Sequence, residues 1–175
     1  PDLIKSYISS GMLDAQFDFN LYDAAVSTFA KGEDFDNLVN VLEASLNSYG
    51  THHLMGNISG NQDRSRFVTL ADGDLQFDED QKLAGWTREF GKPNHQESYN
   101  KLAMLHAFNF AIPGIPVIYY GDEYGMPGAN DPDNRRQMLF EGLDEREIDE
   151  KRQVTELIRL RKNNLALIYG TTEVT

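Results

Sequence analysis

Asn61, Gln62, Asp63, Arg64 and Arg66 bring two amides, a carboxylate and two guanidiniums into one short stretch. The run His53-Leu54-Met55-Gly56 leads into them, so they fall at the exit of what reads as a strand over residues 52–59. No helical period links them. In parallel α/β architectures, binding and catalysis collect at the carboxyl ends of strands. Asp63 is therefore the first candidate for chemistry. A plainer reading makes Asp63, Arg64 and Arg66 a solvated turn with weak surface ion pairs. This stretch alone does not separate the two.

The bulk composition narrows the partners. The 175 residues suffice for one ordinary domain with a hydrophobic core. A formal net charge of −12 argues against a phosphate-backbone partner and suits an uncharged substrate. No nucleic acid is expected. There are no cysteines, which removes disulfides and thiolate metal sites. No apolar run is long enough to span a bilayer. His52, His53, His95 and His106 lack metal-site spacing, and His106 reads as a core histidine. Asp72, Asp74, Asp78, Glu79 and Asp80 crowd a stretch that reads as irregular from 68 to 92. Carboxylates can ligate calcium, but the spacing is not that of an EF-hand, and a solvated acidic loop is the favoured reading. Trp86, in the same stretch, has a flat aromatic face that either packs locally or stacks on a ligand, and it is left without a role.

The elements that must position Asp63 alternate. Residues 13–19 have a strand period, with Leu13, Ala15, Phe17 and Phe19 on one side. Residues 20–30 begin a helix. After Gly32, Asp34 is an N-cap candidate for an amphipathic helix through Phe35, Leu38, Val39, Leu42 and Leu46, ended near Gly50. Asn94 is expected to cap a buried helix to about 109, stopped by Pro113-Gly114. The apolar run 115–120 reads as a strand covered on both faces. A last helix is expected over 149–163, and residues 170–175 begin something β-like. Strand, helix, strand, helix, strand, helix implies parallel strands joined by crossovers. Three strands cannot close a barrel, which needs eight. The chain is thus a small open α/β sheet or part of a larger barrel.

Four stretches carry a family resemblance. Gly60-Asn61-Gln62-Asp63-Arg64 resembles the segment after the seventh barrel strand of the α-amylase family of glycoside hydrolases, usually Asn-His-Asp there. Residues 112–126, Ile-Pro-Gly-Ile-Pro-Val-Ile-Tyr-Tyr-Gly-Asp-Glu-Tyr-Gly-Met, resemble the eighth strand and its exit. Residues 128–136, Gly-Ala-Asn-Asp-Pro-Asp-Asn-Arg-Arg, resemble the sugar-binding loop that follows, and 157–166 the last barrel helix. The resemblance covers nearly the whole chain, in order. It implies an α/β fold that is a partial TIM-type (β/α)8 barrel, about strands six to eight with their helices. Residues 1–168 would be the C-terminal part of that barrel and 169–175 the truncated start of a following β domain.

The resemblance also implies a chemistry. The family cleaves α-glucosidic bonds with retention, using a nucleophilic Asp and an acid/base Glu about 5 Å apart. Both come from the fourth and fifth strands, upstream of Pro1, so this chain alone is expected to be inactive. Asp63 matches the transition-state carboxylate, which binds hydroxyls of the cleaved ring. Asp131 and Arg135 match the pair that grips the next sugar; the plainer reading of that pair is a loop ion pair. Asn61 and Gln62 are substrate-binding candidates. Gln62 departs from the usual His: it keeps a donor and an acceptor but cannot become cationic. It reads as a working variant. Asp122 and Glu123 are mostly structural in the family, and Tyr119 and Tyr120 read as packing. The implied substrate is an α-glucan or malto-oligosaccharide. Calcium stays open for the intact protein, because the family's usual site draws on earlier loops. As part of a barrel the chain would expose strand edges, favouring self-association or association with the missing part. The rival is a non-catalytic carbohydrate-binding or transporter-associated member of the same fold.

Overall fold

A computed structural model describes residues 2–8 and 11–173. Its sheet is short and parallel. Strand β1 (Gly56–Ile58) pairs with β2 (Ile115–Val117), with Gly56 opposite Ile115 and Ile58 opposite Val117. On its other side β1 meets Phe17 in one parallel bridge, closed by Gly56 N donating to Gln16 O at 2.8 Å and Asp18 N to Gly56 O at 3.0 Å. Three segments therefore lie side by side in chain order. Parallel neighbours need crossovers, and helices supply them.

Helix α1 (Asp2–Tyr7) stands before the first bridge. Helix α2 (Phe19–Val26) begins where Asp18 leaves the sheet and its Oδ1 accepts from Leu21 N at 3.1 Å. That switch of role ends the predicted strand over 13–19 after a single bridge: Asp18 is needed as a cap one residue beyond Phe17. α2 continues as a π-helical turn, Ser27–Lys31, and stops at Gly32 in the left-handed region, φ 82°. α3 (Phe35–Tyr49) follows and ends at Gly50, with Leu38 and Leu42 buried and Phe35 exposed. Asp34 holds the N-cap position but makes no side-chain cap bond. Ser45 Oγ instead donates to Asp18 Oδ2, joining α3 to the start of α2.

The stretch 68–92, read as irregular, contains two helices: α4 (Phe67–Asp72) and α5 (Gln81–Thr87). Its acidic residues explain part of the difference, because Asp72 and Asp80 are caps rather than members of a solvated cluster. Asp80 accepts from Lys82 N and Leu83 N at the start of α5. Asp72 accepts from Asn94 N, His95 N and Ser98 Oγ at the start of α6 (Gln96–Ala111). The cap of α6 is thus Asp72, 22 positions upstream, and not Asn94. Burial pushes the Asp72 carboxyl up, and the bonds from Ser98, Asn94 and His95 outweigh it and hold it below its ordinary value.

α6 packs on α4 and on α7 (Glu145–Asn163), burying Tyr99, Leu102, Leu105 and Phe110. His106 is a core residue, its pKa lowered by burial to about 4. Asn109 Nδ2 donates to Ile58 O at 3.0 Å, satisfying a strand carbonyl. α7 starts four residues earlier than the expected 149 because Asp144 and Glu147 form a reciprocal capping box. Arg161 closes the end of α6 by donating to Phe110 O, Ile112 O and Gly114 O. α8 (Ala166–Tyr169) is the last helix, residues 170–173 form no strand, and 174 and 175 lie outside the described residues.

The run 115–120 yields three strand residues, and Ile115 is 47% exposed. Ile115 is exposed and Pro116 and Val117 are half-buried, so the expected cover on both faces is missing, and among the described residues β2 has a paired neighbour on one edge only. At the opposite edge Phe17 is exposed, as are Leu13 and Leu54 near the two segments that meet there. No helix among the described residues is long and apolar enough to cross a membrane.

Candidate functional site

The loops leaving β1 and β2 meet on one side of the sheet, over a buried base. Ser59 N donates to Val117 O at 2.9 Å, and Ser59 Oγ accepts from Tyr119 N and donates to Asp122 Oδ2 at 2.6 Å. Asp122 Oδ1 receives Arg66 Nη1 at 2.8 Å. Arg66 also donates to Tyr120 O at 2.7 Å and, through Nε, to Asn134 O at 2.9 Å. Its guanidinium lies over the rings of Tyr119 and Tyr120, 4.2 and 4.9 Å from their centres. Burial pushes the Asp122 carboxyl up, while Arg66 and then Ser59 pull it back. Arg66 is therefore no part of a solvated turn: its side chain is 1% exposed.

The third segment of the base is the loop beyond β2. Arg66 N donates to Gly128 O at 3.0 Å, and Gly128 N to Thr69 Oγ1 at 2.8 Å. A Cβ on Gly128 would sit 2.9 Å from Asp133 O, so the approach requires glycine. Gly60 is tight in the same way, with Asp122 Oδ2 2.9 Å from where a Cβ would be. Asn134, fully buried, donates from Nδ2 to Arg64 O at 2.7 Å and to Asn61 O at 3.3 Å. One guanidinium and one amide thus stitch three loops together.

Above this base stands an exposed rim, and all five expected site residues reach it or its support. Asn61 is buried, and its Oδ1 accepts from Asp63 N at 2.9 Å. Its side chain shapes the turn. Asp63 points outward, with a side chain 67% exposed. Gln62 Nε2 donates to Asp63 Oδ2 at 3.0 Å, and Arg135 Nη2 lies 3.5 Å from Oδ1. Arg135 Nε donates to Gln62 O at 3.2 Å. The 3-10 turn Asp133–Arg135 brings Arg135 Nη2 to 3.1 Å from Asp131 Oδ1, and Lys82 Nζ approaches Asp131 Oδ2 at 3.3 Å. Arg64 turns the other way, pairing with Asp23 at 3.0 Å over the rings of Phe19 and Tyr22.

This arrangement has a definite chemical capacity. Two carboxylates from loops about seventy residues apart share one guanidinium, leaving acceptors and donors open to solvent side by side. Such a set receives vicinal hydroxyls: carboxylates accept, the guanidinium donates in a plane. Among the described residues no group of three or more His, Asp or Glu is gathered to hold a metal ion. Asp122 and Asn134 were not among the residues singled out for the site, and Arg66, grouped with Asp63 at the outset, was given no role in it. Their signal was position, Arg66 after β1 and Asp122 and Asn134 after β2, but neither spacing nor type reports that they meet.

The family model described as Alpha amylase, catalytic domain, matches residues 1–163. Cyclomaltodextrinase of Geobacillus thermopakistaniensis (strain MAS1) is 30% identical over 170 residues, covering 94% of this chain and 24% of that protein. Cyclomaltodextrinase of Thermoanaerobacter pseudethanolicus (strain ATCC 33223 / 39E) is 29% identical, over 94% of this chain and 25% of its own length. The chain thus spans about a quarter of these curated relatives. Among solved structures, an Anoxybacillus α-amylase superposes with a TM-score of 0.73 at 29% identity, covering 97% of this chain and 32% of that one. The α-amylase of Geobacillus thermoleovorans, solved with acarbose, gives 0.67 at 28%, covering 90% and 30%. These neighbours are (β/α)8 barrels, of which this chain is a partial α/β counterpart. The base and rim described above are therefore loops of a known architecture, and the chain belongs to the α-amylase family of glycoside hydrolases.

Proposed function

We propose that the chain forms strands six to eight of the catalytic barrel of a retaining α-glycoside hydrolase acting on α-glucans or malto-oligosaccharides. Residues 1–168 are the barrel part, and 169–175 lead into a following β domain. The observation that carries the reading is the convergence of Asp63 with Asp131 and Arg135 on one rim. Asp63 accepts hydrogen bonds from hydroxyls of the ring being cleaved. Those bonds strengthen as positive charge develops on the ring, so they favour the transition state over the ground state. Gln62 holds one Asp63 oxygen, and Asp131 with Arg135 grips the neighbouring sugar. Nucleophile and acid/base come from outside these residues, so the 175-residue chain by itself has no turnover. The exposed edges at Phe17 and Ile115 are where the rest of the barrel, or a second copy, packs.

Release of reducing ends from maltodextrins, cyclomaltodextrin and pullulan by the full-length protein tests this. Turnover of these α-linked glucans, none of β-linked ones, and none by the isolated chain are expected. A folded full-length protein inactive on every α-glucan would overturn the hydrolase reading in favour of a binding member of the fold.

A further inference from the structure

Helix α5 is fastened to the loop that carries Asp131. Asn130 N donates to Gln81 O at 3.2 Å, and Lys82 Nζ stands 3.3 Å from Asp131 Oδ2. A Cβ on Gly85 would come within 3.0 Å of Asp133 Cβ and 3.2 Å of Asn130 O, so helix and loop touch through a glycine. At the end of this anchored helix stands Trp86, the only tryptophan in the chain, and it is 70% exposed. It borders an open cavity of about 520 Å³ whose other walls include Arg88, Glu89, Phe90, Asp133 and Arg136. Part of this lining is held by hydrogen bonds: Arg136 donates to both Asp133 oxygens at 2.9 Å and to Phe90 O at 2.6 Å.

Lys82 and Trp86 are four residues apart on α5, so they share a face and lie just over one turn, ~6 Å, apart along the axis. Trp86 is therefore one step beyond the residue that reaches Asp131. An indole left in water has forgone the burial that its apolar area favours. Here it stands beside guanidiniums and carboxylates on a fixed support. A flat apolar face rimmed by such groups suits a sugar ring, whose C–H face stacks while its hydroxyls meet the charges.

We propose that Trp86 is the platform of a further sugar subsite, adjoining the rim at Asp131, which takes an additional ring of an α-linked glucan chain. The inference rests on the hydrolase reading above and adds chain-length selection to it. The test is kcat/KM of the full-length protein on maltohexaose relative to nitrophenyl α-maltoside, for wild type, Trp86→Ala and Trp86→Phe. In Trp86→Ala the long-to-short ratio falls about tenfold, near the upper end of one aromatic contact. Trp86→Phe retains most of it. A ratio unchanged in Trp86→Ala overturns the subsite while the turnover itself upholds the hydrolase reading. If no α-glucan is turned over, the hydrolase reading fails, and the emission difference between wild type and Trp86→Phe decides. A saturable change on titration with maltohexaose supports the subsite, and no change overturns it.

Discussion

Two guanidinium–carboxylate pairs stand a few residues apart in the same loop system, and they do opposite jobs. In the base, Arg66 and Asp122 meet at 2.8 Å with side chains 1% and 3% exposed. On the rim, Arg135 and Asp63 meet at 3.5 Å with side chains 45% and 67% exposed. In the first pair Arg66 Nε and Nη1 also donate to backbone carbonyls, Asp122 also accepts from Ser59, and the guanidinium lies over two aromatic rings, while Arg66 Nη2 is buried without a hydrogen-bond partner. The second leaves lone pairs and N–H groups facing water. Burial decides which chemistry each pair performs: the buried pair fixes where the loops are, and the exposed pair is free to exchange water for a ligand. On the proposed function, stability and binding fall to different residues of one loop system.

Substitutions should separate these roles. The largest loss of stability is expected for Arg66→Met, which leaves Asp122 buried without its cation. Breaking such a pair from one side costs about 3–5 kcal/mol, read as a lower urea midpoint of the full-length protein. Arg135→Met on the rim should shift the same midpoint by no more than about 1 kcal/mol. Equal losses in the two variants would remove the distinction between base and rim.

Glu150 sharpens the comparison, because it is a buried carboxyl with no partner at all. It is 1% exposed, neither carboxyl oxygen has a hydrogen-bond partner, and burial raises its pKa to about 8. The folded state holds this proton more tightly than the unfolded chain does. Its contribution is fully present below the unfolded value near 4.5 and is lost as pH rises through about 8. Glu150→Gln should therefore match wild type near pH 4 and exceed it at pH 8–9, by a few kcal/mol at most. Urea midpoints at the two pH values measure it; a constant difference between them would mean that Glu150 does not titrate in this way.

The same contrast explains what could be read from the sequence. Helix α3 and its end at Gly50 follow from local periodicity and a C-cap signal, and they appear where expected. The parallel order of the three β segments followed from alternation, although Asp18 ends the first after one bridge. Asp63 was singled out by its place at a strand exit, and Asp131 and Arg135 because their loop resembles a family's, not because spacing could show that segments 72 residues apart meet. The base escaped for the same reason: Arg66 looks like a surface arginine until Asp122, 56 residues later, arrives beside it. Asp72 looked like one charge of an acidic loop, and only its reach to Asn94, His95 and Ser98 makes it a cap. Local rules report helices and turns. They are silent on pairs made by crossovers.

The smallest effect on stability and the largest on rate should come from the same substitution, Asp63→Asn. Its side chain is two-thirds exposed, so the unfolding midpoint should stay within about 0.5 kcal/mol of wild type. Removing a preorganised group that acts on the transition state costs on the order of 10²–10³ in rate. The most direct measurement is thus kcat of the full-length protein on maltodextrin before and after Asp63→Asn, alongside its urea midpoint. A fall of at least about a hundredfold with an unchanged midpoint is the expected result. Activity within about threefold of wild type, less than 1 kcal/mol of barrier, would contradict the placement of Asp63 at the reacting ring.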